Sequence, residues 1–282
     1  MTEKSRLGHF YLFPLTIWSI LFFVSPLIII ILYSFLTKDI YGGVIYTFSL
    51  KAYQSLIQLT YLKVFWFTLK ISVISTAIIM FFAIPVSYYI ARSPLKNVLL
   101  FLVLIPFWTN FLIRIYAWIA IMGNNGFLNQ LLLSLHVLKT NIQFLYNPIA
   151  VIVVLVYTYL PFAILPLYAA IDKFDFTLLE ASSDLGASRL QGILKVLLPN
   201  IRTGLMAAFL FAFIPIFGAY AVPQLVGGQE SFMLGNMIAR ELTITRNWPL
   251  ASAIATIITL VTCLGILLYI RSVRRSDEKD GK

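Results

Sequence analysis

Long stretches without charged residues constrain this chain more than any other feature. Residues 7–37 contain no Asp, Glu, Lys or Arg, and similar apolar stretches recur along the sequence. Of the 282 residues, 60% are hydrophobic and only 11% are charged, which is more apolar surface than a water-soluble domain can bury. A membrane-spanning helix needs about 20 consecutive apolar residues. The sequence therefore predicts an all-α, polytopic membrane protein with a single transmembrane domain over residues 1–282.

The apolar stretches predict six transmembrane helices. The first is expected to stay uncleaved, because it is too long for a signal peptide and no small-residue cleavage site follows it closely. Residues 38–63 predict a polar loop, residues 123–126 a turn, and residues 127–136 a short amphipathic helix in the membrane interface. The predicted spans are 10–35, 71–91, 97–122, one within 140–171, one within 203–229, and 247–270, with a charged tail at 271–282.

The distribution of basic residues predicts the orientation. Six spans place both termini on one side of the membrane, and 13 of the 21 Lys and Arg residues lie on that side. The turn that contains Arg92 and Lys96 is the clearest part of this bias. Because Lys and Arg are enriched in short cytoplasmic segments, both termini and the segment between spans four and five are predicted in the cytoplasm.

That segment, residues 177–200, is the most polar and most punctuated part between two long apolar runs. Thr177 and Glu180 have capping-box spacing, which predicts a helix of about eight residues, roughly 12 Å long. Gly186 can take the left-handed conformation that ends a helix. The face predicted to be small and mostly apolar consists of Leu178, Ala181, Ser182 and Leu185.

A second helix is predicted after Gly186. Ser188 and Gln191 form another capping box, and Pro199 indicates a break or kink near the end of the helix. An ordinary cytoplasmic loop lying on the membrane surface would also account for these features. The apolar stripe of the second helix consists of Leu190, Ile193, Leu194 and Leu197.

The spacing of several residues resembles the EAA motif of ATP-binding-cassette (ABC) importer permeases, EAA-x3-G-x9-I-x-L-P. This chain has Ser182 for the second alanine and Val196 for isoleucine, two small, shape-preserving differences. The resemblance implies a type I, MetI-like permease fold whose loop at about 172–202 carries a coupling helix that docks in a cleft of a separate ATPase subunit. The residues that it assigns to coupling are Glu180, Ala181, Ser182, Asp184, Gly186, Val196, Leu198 and Pro199.

The sequence lacks the residues that catalysis by this chain would need. There is no G-x4-G-K-[ST] loop for ATP, and the two histidines and single cysteine suggest neither a metal site nor a disulfide framework. Asp172, Asp175, Glu180 and Asp184 form a polar cluster that is either a solvated face or a contact with basic residues of a partner. The expectation is a transporter subunit without a cofactor of its own, with ATP and Mg²⁺ bound by the partner ATPase.

A second resemblance concerns the cargo. Residues 105–116, IPFWTNFLIRIY, resemble a signature of the spermidine/putrescine (polyamine) permeases, in particular the PotB type, as do residues 184–188, 236–238 and 246–249. The resemblance extends over about 17–271. It implies a bacterial inner-membrane importer with a PotC-like second permease in a heterodimer, a PotA-like ATPase dimer and a PotD-like polyamine-binding protein.

Aromatic residues are candidates for a substrate path. The ammonium groups of a polyamine can be held by aromatic faces, each contact being worth about 0.5–2 kcal/mol. The same residue types are also enriched at membrane interfaces as anchors, which leaves both interpretations open. The candidate path residues are Tyr53, Trp108, Asn110, Tyr116, Trp118 and Tyr220.

The stretch 215–223, PIFGAYAVP, predicts irregular backbone in span five. Such backbone at membrane depth is tolerated where it is buried in protein or lines a cavity, so Pro215, Gly218 and Pro223 are candidate gate residues. A prolyl kink in a packed helix bundle is the alternative. Arg114, near the outer end of span three, is a further candidate, expected to pair with a carboxylate such as Glu230 or Glu241, or to cap carbonyls.

Three hypotheses result. The first is the permease subunit of a polyamine importer. The second keeps the importer but changes the cargo to sulfate, molybdate, iron or phosphonate, and an arginine at membrane depth is compatible with an oxyanion. The third is a stand-alone secondary transporter or channel, in which buried ionisable relays or internal repeats are common; neither is evident here. Co-purification of an ATPase subunit separates the first two from the third.

Overall fold

The computed structural model describes residues 13–279. The described part of the chain is mostly helical, with one small β-hairpin. It forms two compact units, one made of residues 13–63 with Met237–Leu260 and the other of Val64–Asn236 with residues 261–279. The expectation of a single domain over the whole chain stays a prediction.

The first unit contains the first span and a hairpin. Helix α1 covers Phe13–Tyr33, so its end agrees with the prediction to within two residues, while residues 10–12 lie outside the described part. Strands β1 (Leu36–Lys38) and β2 (Val44–Phe48) pair antiparallel, and helix α2 (Lys51–Leu56) follows. The region predicted as a polar loop, residues 38–63, therefore contains most of a hairpin, a short helix and the start of the next long helix.

The hairpin could form because its turn contains Gly42 and Gly43. Their φ angles of +98° and +92° lie in the left-handed region that glycine adopts readily. A Cβ at Gly42 would also come within 2.6 Å of the Cβ of Arg246. The two residues therefore allow a tight reversal in a chain that otherwise forms helices.

Helix α3 covers Leu59–Arg92, which begins twelve residues before the predicted start of span two. Its buried face is rich in small and hydroxyl side chains. Thr68 and Ser72 donate to the carbonyls of Val64 and Thr68 at 2.8 and 2.7 Å, so these hydroxyls are satisfied within the helix. Small side chains of this kind let helices approach closely inside a membrane.

The third predicted span is broken. Helix α4 (Lys96–Leu104) continues into a 3₁₀ turn at Ile105–Trp108, and Thr109 then takes extended backbone angles of −90° and 145°. Helix α5 (Phe111–Met122) starts afresh, and helix α6 (Phe127–Ser134) packs against it. The prediction of one continuous helix over 97–122 is wrong, whereas the short helix after residue 126 is confirmed.

The core of the second unit lies around helix α7 (Pro148–Asp172). Helix α8 covers Thr177–Asp184, helix α9 covers Arg189–Asn200, and helix α10 covers Arg202–Phe217. Helices α7 and α10 pack closely along their length, since a Cβ at Gly204 would lie 2.3 Å from the Cβ of Ala170.

Three helices complete the chain: α11 (Ala221–Val226), α12 (Leu234–Thr243) and α13 (Trp248–Lys279). Among the described residues, five helical stretches are long and apolar enough to cross a membrane, with α5 and α6 counted together as Phe111–Ser134, and there are six if α9 and α10, bent by 79°, form one broken span. The all-α, six-span prediction is met in this sense. The predicted tail at 271–282 continues α13 as far as Lys279.

Candidate coupling segment and bent span

The coupling segment, residues 172–202, begins with a cap that the sequence analysis assigned to the wrong residue. The carboxylate of Asp175 accepts hydrogen bonds from the hydroxyl and the backbone N–H of Thr177, at 2.7 and 3.0 Å. Thr177 is therefore the first residue of α8 rather than its cap, and the predicted capping box with Glu180 is wrong. An acidic side chain at this position also interacts favourably with the positive end of the helix dipole.

Charged groups around this segment are tied to local partners. The hydroxyl of Thr177, and then its backbone N–H, hold the pKa of the Asp175 carboxyl below its usual range. Lys96 donates to Asp172 at 2.9 Å, and this hydrogen bond raises the pKa of the Lys96 ammonium group. The contact between Lys96 and Asp172 joins the end of α7 to the start of α4.

The end of α8 confirms the predicted role of Gly186. Its φ angle is +86°, its N–H donates to the carbonyl of Ser183 at 2.9 Å, and the N–H of Ala187 donates to that of Ser182 at 3.0 Å. This pattern is a Schellman motif, which satisfies the last carbonyls of a helix. The chain therefore reverses sharply after α8.

Three of the four residues predicted on the small, mostly apolar face of α8 lie together on its exposed side, and one does not. Leu178, Ala181 and Leu185 are exposed, and Leu185 has 89% of its surface accessible. Ser182, predicted on the same face, instead lies towards Gly192, where an added Cβ would be 3.2 Å from its hydroxyl. An outward ridge of apolar side chains is thus left uncovered in this chain, beside the exposed Glu180 and Asp184.

The second predicted capping box is confirmed. Ser188 Oγ accepts from the N–H of Gln191 at 3.3 Å, and Gln191 Oε1 accepts from the N–H of Ser188 at 3.0 Å. Only part of the predicted apolar stripe of α9 is buried. Leu190 and Leu194 are exposed, whereas Ile193 is half-buried and Leu197 is fully buried.

Helix α9 also contains a π-helical turn at Ile193–Leu197, which the sequence analysis missed. Pro199 has no N–H to continue the α-helical bonding, and a π-turn is one way in which a helix accommodates such a defect. The 79° bend follows at Ile201, close to the break that Pro199 predicted. Of the other motif residues, Val196 and Leu198 are half-buried and Pro199 is exposed.

A cavity of about 360 Å³ opens between α8, α9 and the end of α3. The guanidinium of Arg92 lies over the rings of Tyr88 and Phe176, at 5.9 and 5.3 Å from their centroids, and donates to the Tyr88 hydroxyl at 3.0 Å. Glu180 and Arg189 also line the cavity. Residues of the coupling segment therefore contact a membrane-spanning helix directly.

The predicted path residues have different environments. The hydroxyl of Tyr53 is hydrogen bonded to that of Ser34 at 2.8 Å, in the first unit. Asn110 caps α5 by accepting from the N–H of Leu112 at 2.8 Å, so its side chain has a structural role. Trp118 packs edge-on against Tyr157 at 5.4 Å.

Three aromatic candidates are available to a ligand or a partner. Trp108, Tyr116 and Tyr220 are 77%, 57% and 48% exposed. Trp108 ends the 3₁₀ turn at the break of span three, and Tyr220 lies in the break of span five. Because α5 and α11, the helices that follow these breaks, pack against each other, the two breaks belong to one region of the second unit.

Arg114 does not pair with a carboxylate as expected. Among the described side chains, an ion pair joins Lys96 and Asp172, and none is recorded for Arg114. The guanidinium of Arg114 lies over the rings of Phe107 and Phe111, at 5.4 and 5.9 Å, and its Nε is buried without a hydrogen-bond partner. Aromatic faces thus take the place that a carboxylate was expected to fill.

Span five is interrupted where the sequence predicted. Helix α10 ends at Phe217, residues Gly218–Tyr220 are not helical, and α11 begins at Ala221. Pro215 lies inside α10, whereas Pro223 lies in the first turn of α11, where a missing N–H costs no hydrogen bond. We refer to residues 217–224 as the bent segment.

Asn236 contacts the bent segment and was absent from the predicted site. Its Nδ2 donates to the carbonyl of Tyr220 at 3.2 Å and to Gln224 Oε1 at 2.9 Å, and its Oδ1 accepts from the N–H of Met233 at 3.2 Å. These partners are as many as 16 residues away in the sequence, and no local pattern indicates such contacts. No group of three or more potential metal ligands occurs within the described part of the chain.

The apolar spans and the interrupted helices are features of a polytopic membrane protein. The chain belongs to the family of binding-protein-dependent transport system inner membrane components, because the sequence model of that family matches residues 83–279. It is accordingly a transporter component and a multi-pass protein of the inner membrane.

Individual relatives narrow the class. The chain is 39% identical over 266 residues to the spermidine/putrescine transport system permease protein PotB of Haemophilus influenzae, covering 93% of this chain and 92% of the relative. It is 36% identical to the protein of the same name from Salmonella typhimurium, with 99% and 98% covered. The structure of a bacterial ABC transporter involved in alginate import shares the fold, with a TM-score of 0.76 over 97% of this chain and 96% of that one at 18% identity.

Proposed function

We propose that this chain is the permease subunit of an ABC importer that carries polyamines, spermidine and putrescine among them, across the bacterial inner membrane. The observation that carries the proposal is the nearly full-length similarity, at 36–39% identity, to permeases named for spermidine/putrescine transport. Hydrolysis of ATP takes place on a separate ATPase subunit, which binds ATP and Mg²⁺.

The coupling segment is the surface on which that ATPase docks. Its support is the exposed apolar ridge of Leu178, Ala181 and Leu185, next to the exposed carboxylate of Glu180. The exposed leucines offer an apolar contact, and the small Ala181 between them allows a second protein to approach closely. This assignment places the coupling segment and both termini in the cytoplasm, in agreement with the distribution of Lys and Arg.

Three partners complete the transporter in this proposal. A second, PotC-like permease forms the other half of the path in a heterodimer, a PotA-like dimer supplies ATP hydrolysis, and a PotD-like protein delivers the polyamine from outside. ATPase closure moves the coupling segment and shifts the permease between two states that open to opposite sides.

Neutral groups carry cation recognition within this chain. The predicted spans contain no Asp or Glu, so the ammonium groups meet aromatic faces and oxygen atoms rather than carboxylates. The exposed rings of Trp108, Tyr116 and Tyr220 are the groups available for this purpose. Any acidic ligand at membrane depth comes from the second permease.

Competition for uptake tests the cargo. Proteoliposomes with the whole complex and its binding protein are offered labelled spermidine against excess putrescine, sulfate or molybdate. Polyamine transport requires that putrescine alone competes and that uptake depends on ATP. ATP-driven uptake of an oxyanion would retain the importer, reject the polyamine, and make Arg114 the first residue to mutate.

A pair of variants tests the coupling assignment. Glu180→Arg is expected to leave membrane insertion intact and to abolish ATP-driven uptake, because it reverses a charge on the docking surface. Glu230→Arg makes the same change at another exposed position outside the coupling segment and is expected to keep wild-type uptake. Equal uptake by both variants would remove the docking surface from α8.

A further inference from the structure

We infer that Asn236 is a positioning residue that fixes the bent segment and thereby sets where Tyr220 stands on the substrate path. The substrate path in this inference rests on the proposed function, whereas the contacts of Asn236 with the bent segment are observed directly. Asn236 is 2% exposed and uses both of its N–H donors and its oxygen on three separate groups. Its amide joins the start of α12 to both ends of the turn that opens α11.

The bent segment needs such a support because its own helix cannot provide one. Beyond Phe217 the helical ladder stops, and irregular backbone inside a membrane protein must be satisfied by neighbouring groups. The Tyr220 carbonyl accepts from the N–H of Gln224 at 3.0 Å and from Asn236, so it holds two donors from different elements. Losing Asn236 leaves one local bond across the turn.

The residues next to Asn236 hold the same region by close packing. A Cβ at Gly235 would lie 2.5 Å from the carbonyl oxygen of Ala219 and 3.0 Å from that of Gly218, so only glycine lets α12 approach the bend. The N–H of Leu234 donates to Thr68 Oγ1 at 3.0 Å. Residues 233–236, at the start of α12, therefore contact both the bent segment and α3.

This arrangement has a mechanical consequence for Tyr220. Its carbonyl is fixed, whereas its ring is 48% exposed, so the clamp determines the position of an aromatic face that is free to meet a ligand. A displaced ring lets ATP be hydrolysed without productive transfer of the cation. Asn236 thus affects the number of ATP molecules used for each polyamine, besides the stability of the chain.

The ratio of ATP hydrolysed to spermidine transported tests the inference in proteoliposomes with the whole complex and saturating binding protein. For Asn236→Leu, which removes all three bonds, and for Asn236→Asp, which removes both donors, we expect the ratio to rise at least fivefold. For Gln224→Leu, which removes one bond, we expect a rise of about twofold.

Asn129 provides a matched control. It is also fully buried and makes three bonds, to the carbonyls of Gly123 and Ile142 and to the N–H of Ile142, from helix α6, which is remote in sequence from the bent segment. Asn129→Leu is expected to lower the yield of folded complex without changing the ratio. If Asn236→Leu behaves in the same way, Asn236 is structural only and the inference is overturned.

A second measurement does not depend on the cargo. Cys263 is the only cysteine, so a Cys263→Ser background allows Tyr220→Cys to be labelled alone by a water-soluble maleimide in the assembled complex. Adding Asn236→Leu is expected to change the labelling rate at least threefold. An unchanged rate overturns the clamp, whereas a changed rate in a complex that transports no polyamine keeps the clamp and rejects the proposed function.

Discussion

The coupling segment and the bent segment are stabilised by opposite means. In the coupling segment the bonds that define α8 and α9 join residues two to five positions apart, such as Asp175 with Thr177 and Ser188 with Gln191. The bent segment depends on residues 12 and 16 positions away, and its support reaches α3 through a bond between residues 166 positions apart. A locally built helix can present a surface to another protein, whereas a long-range clamp fixes a shape inside this one.

The largest effect that this comparison predicts lies at Gly186. Gly186→Pro forces φ from +86° to about −65° and breaks the Schellman motif, so we expect uptake to fall by more than tenfold while the chain still inserts. Gly186→Asn is the control, since asparagine tolerates the left-handed region better than other residues. Equal losses in the two variants would mean that the backbone conformation at this position is unimportant.

The next effect concerns the close packing of Gly235 against the bent segment. Gly235→Ala places a methyl group 2.5 Å from the Ala219 carbonyl oxygen, and we expect uptake to fall about fivefold and the thermal midpoint of the complex to decrease. Gly218→Ala is the matched change, because its nearest neighbour would be 3.9 Å away. Similar midpoints for the two variants would contradict the close approach.

A smaller effect is expected at the start of α9. Ser188→Ala removes one half of the capping box and should cost about 1 kcal/mol of local helix stability, lowering uptake two- to threefold. Ser183→Ala removes a hydroxyl that donates to the carbonyl of Leu179 and caps nothing, so it serves as the control. The measurement is uptake at equal amounts of assembled complex, and equal rates would show that the cap is dispensable.

The smallest effect is a pH dependence at the start of α8. Since the pKa of Asp175 is lowered in the folded chain, its ionised form stabilises this helix end at neutral pH. That contribution is lost as the pH falls through the lowered pKa. Asp175→Asn keeps an acceptor without titrating, so amide exchange of α8 compared at the same acidic pH should be slower in this variant than in the wild type. Identical exchange would exclude a role for the carboxylate.

How far the sequence predicts these segments depends on the distance between interacting residues. The box at Ser188 was predicted correctly because both partners lie within one turn. The box at Thr177 was wrong because Asp175, two positions upstream, binds the same N–H and hydroxyl more directly. Gly186 was predicted from its position after the last apolar residue of α8, a signal that is entirely local.

The spans show the same limit. Pro215 and Gly218 indicated the interruption of span five, but nothing in the sequence near Asn236 indicated that its amide would hold the bend. The break of span three was missed because Pro106 lies in a 3₁₀ turn before it, and the extended residue is Thr109. Asn110 stays a predicted path residue, and the structure adds that its side chain caps the start of α5.

The 79° angle at Ile201 joins α9 and α10 into a bent lever with its elbow at that residue. The arm formed by α9 has 12 residues and, at 1.5 Å each, is about 18 Å long, so a rotation of about 10° at the elbow moves its far end by about 3 Å. In the proposed transporter, a modest push from the ATPase on the short arm would therefore tilt α10, at whose other end the backbone is already interrupted.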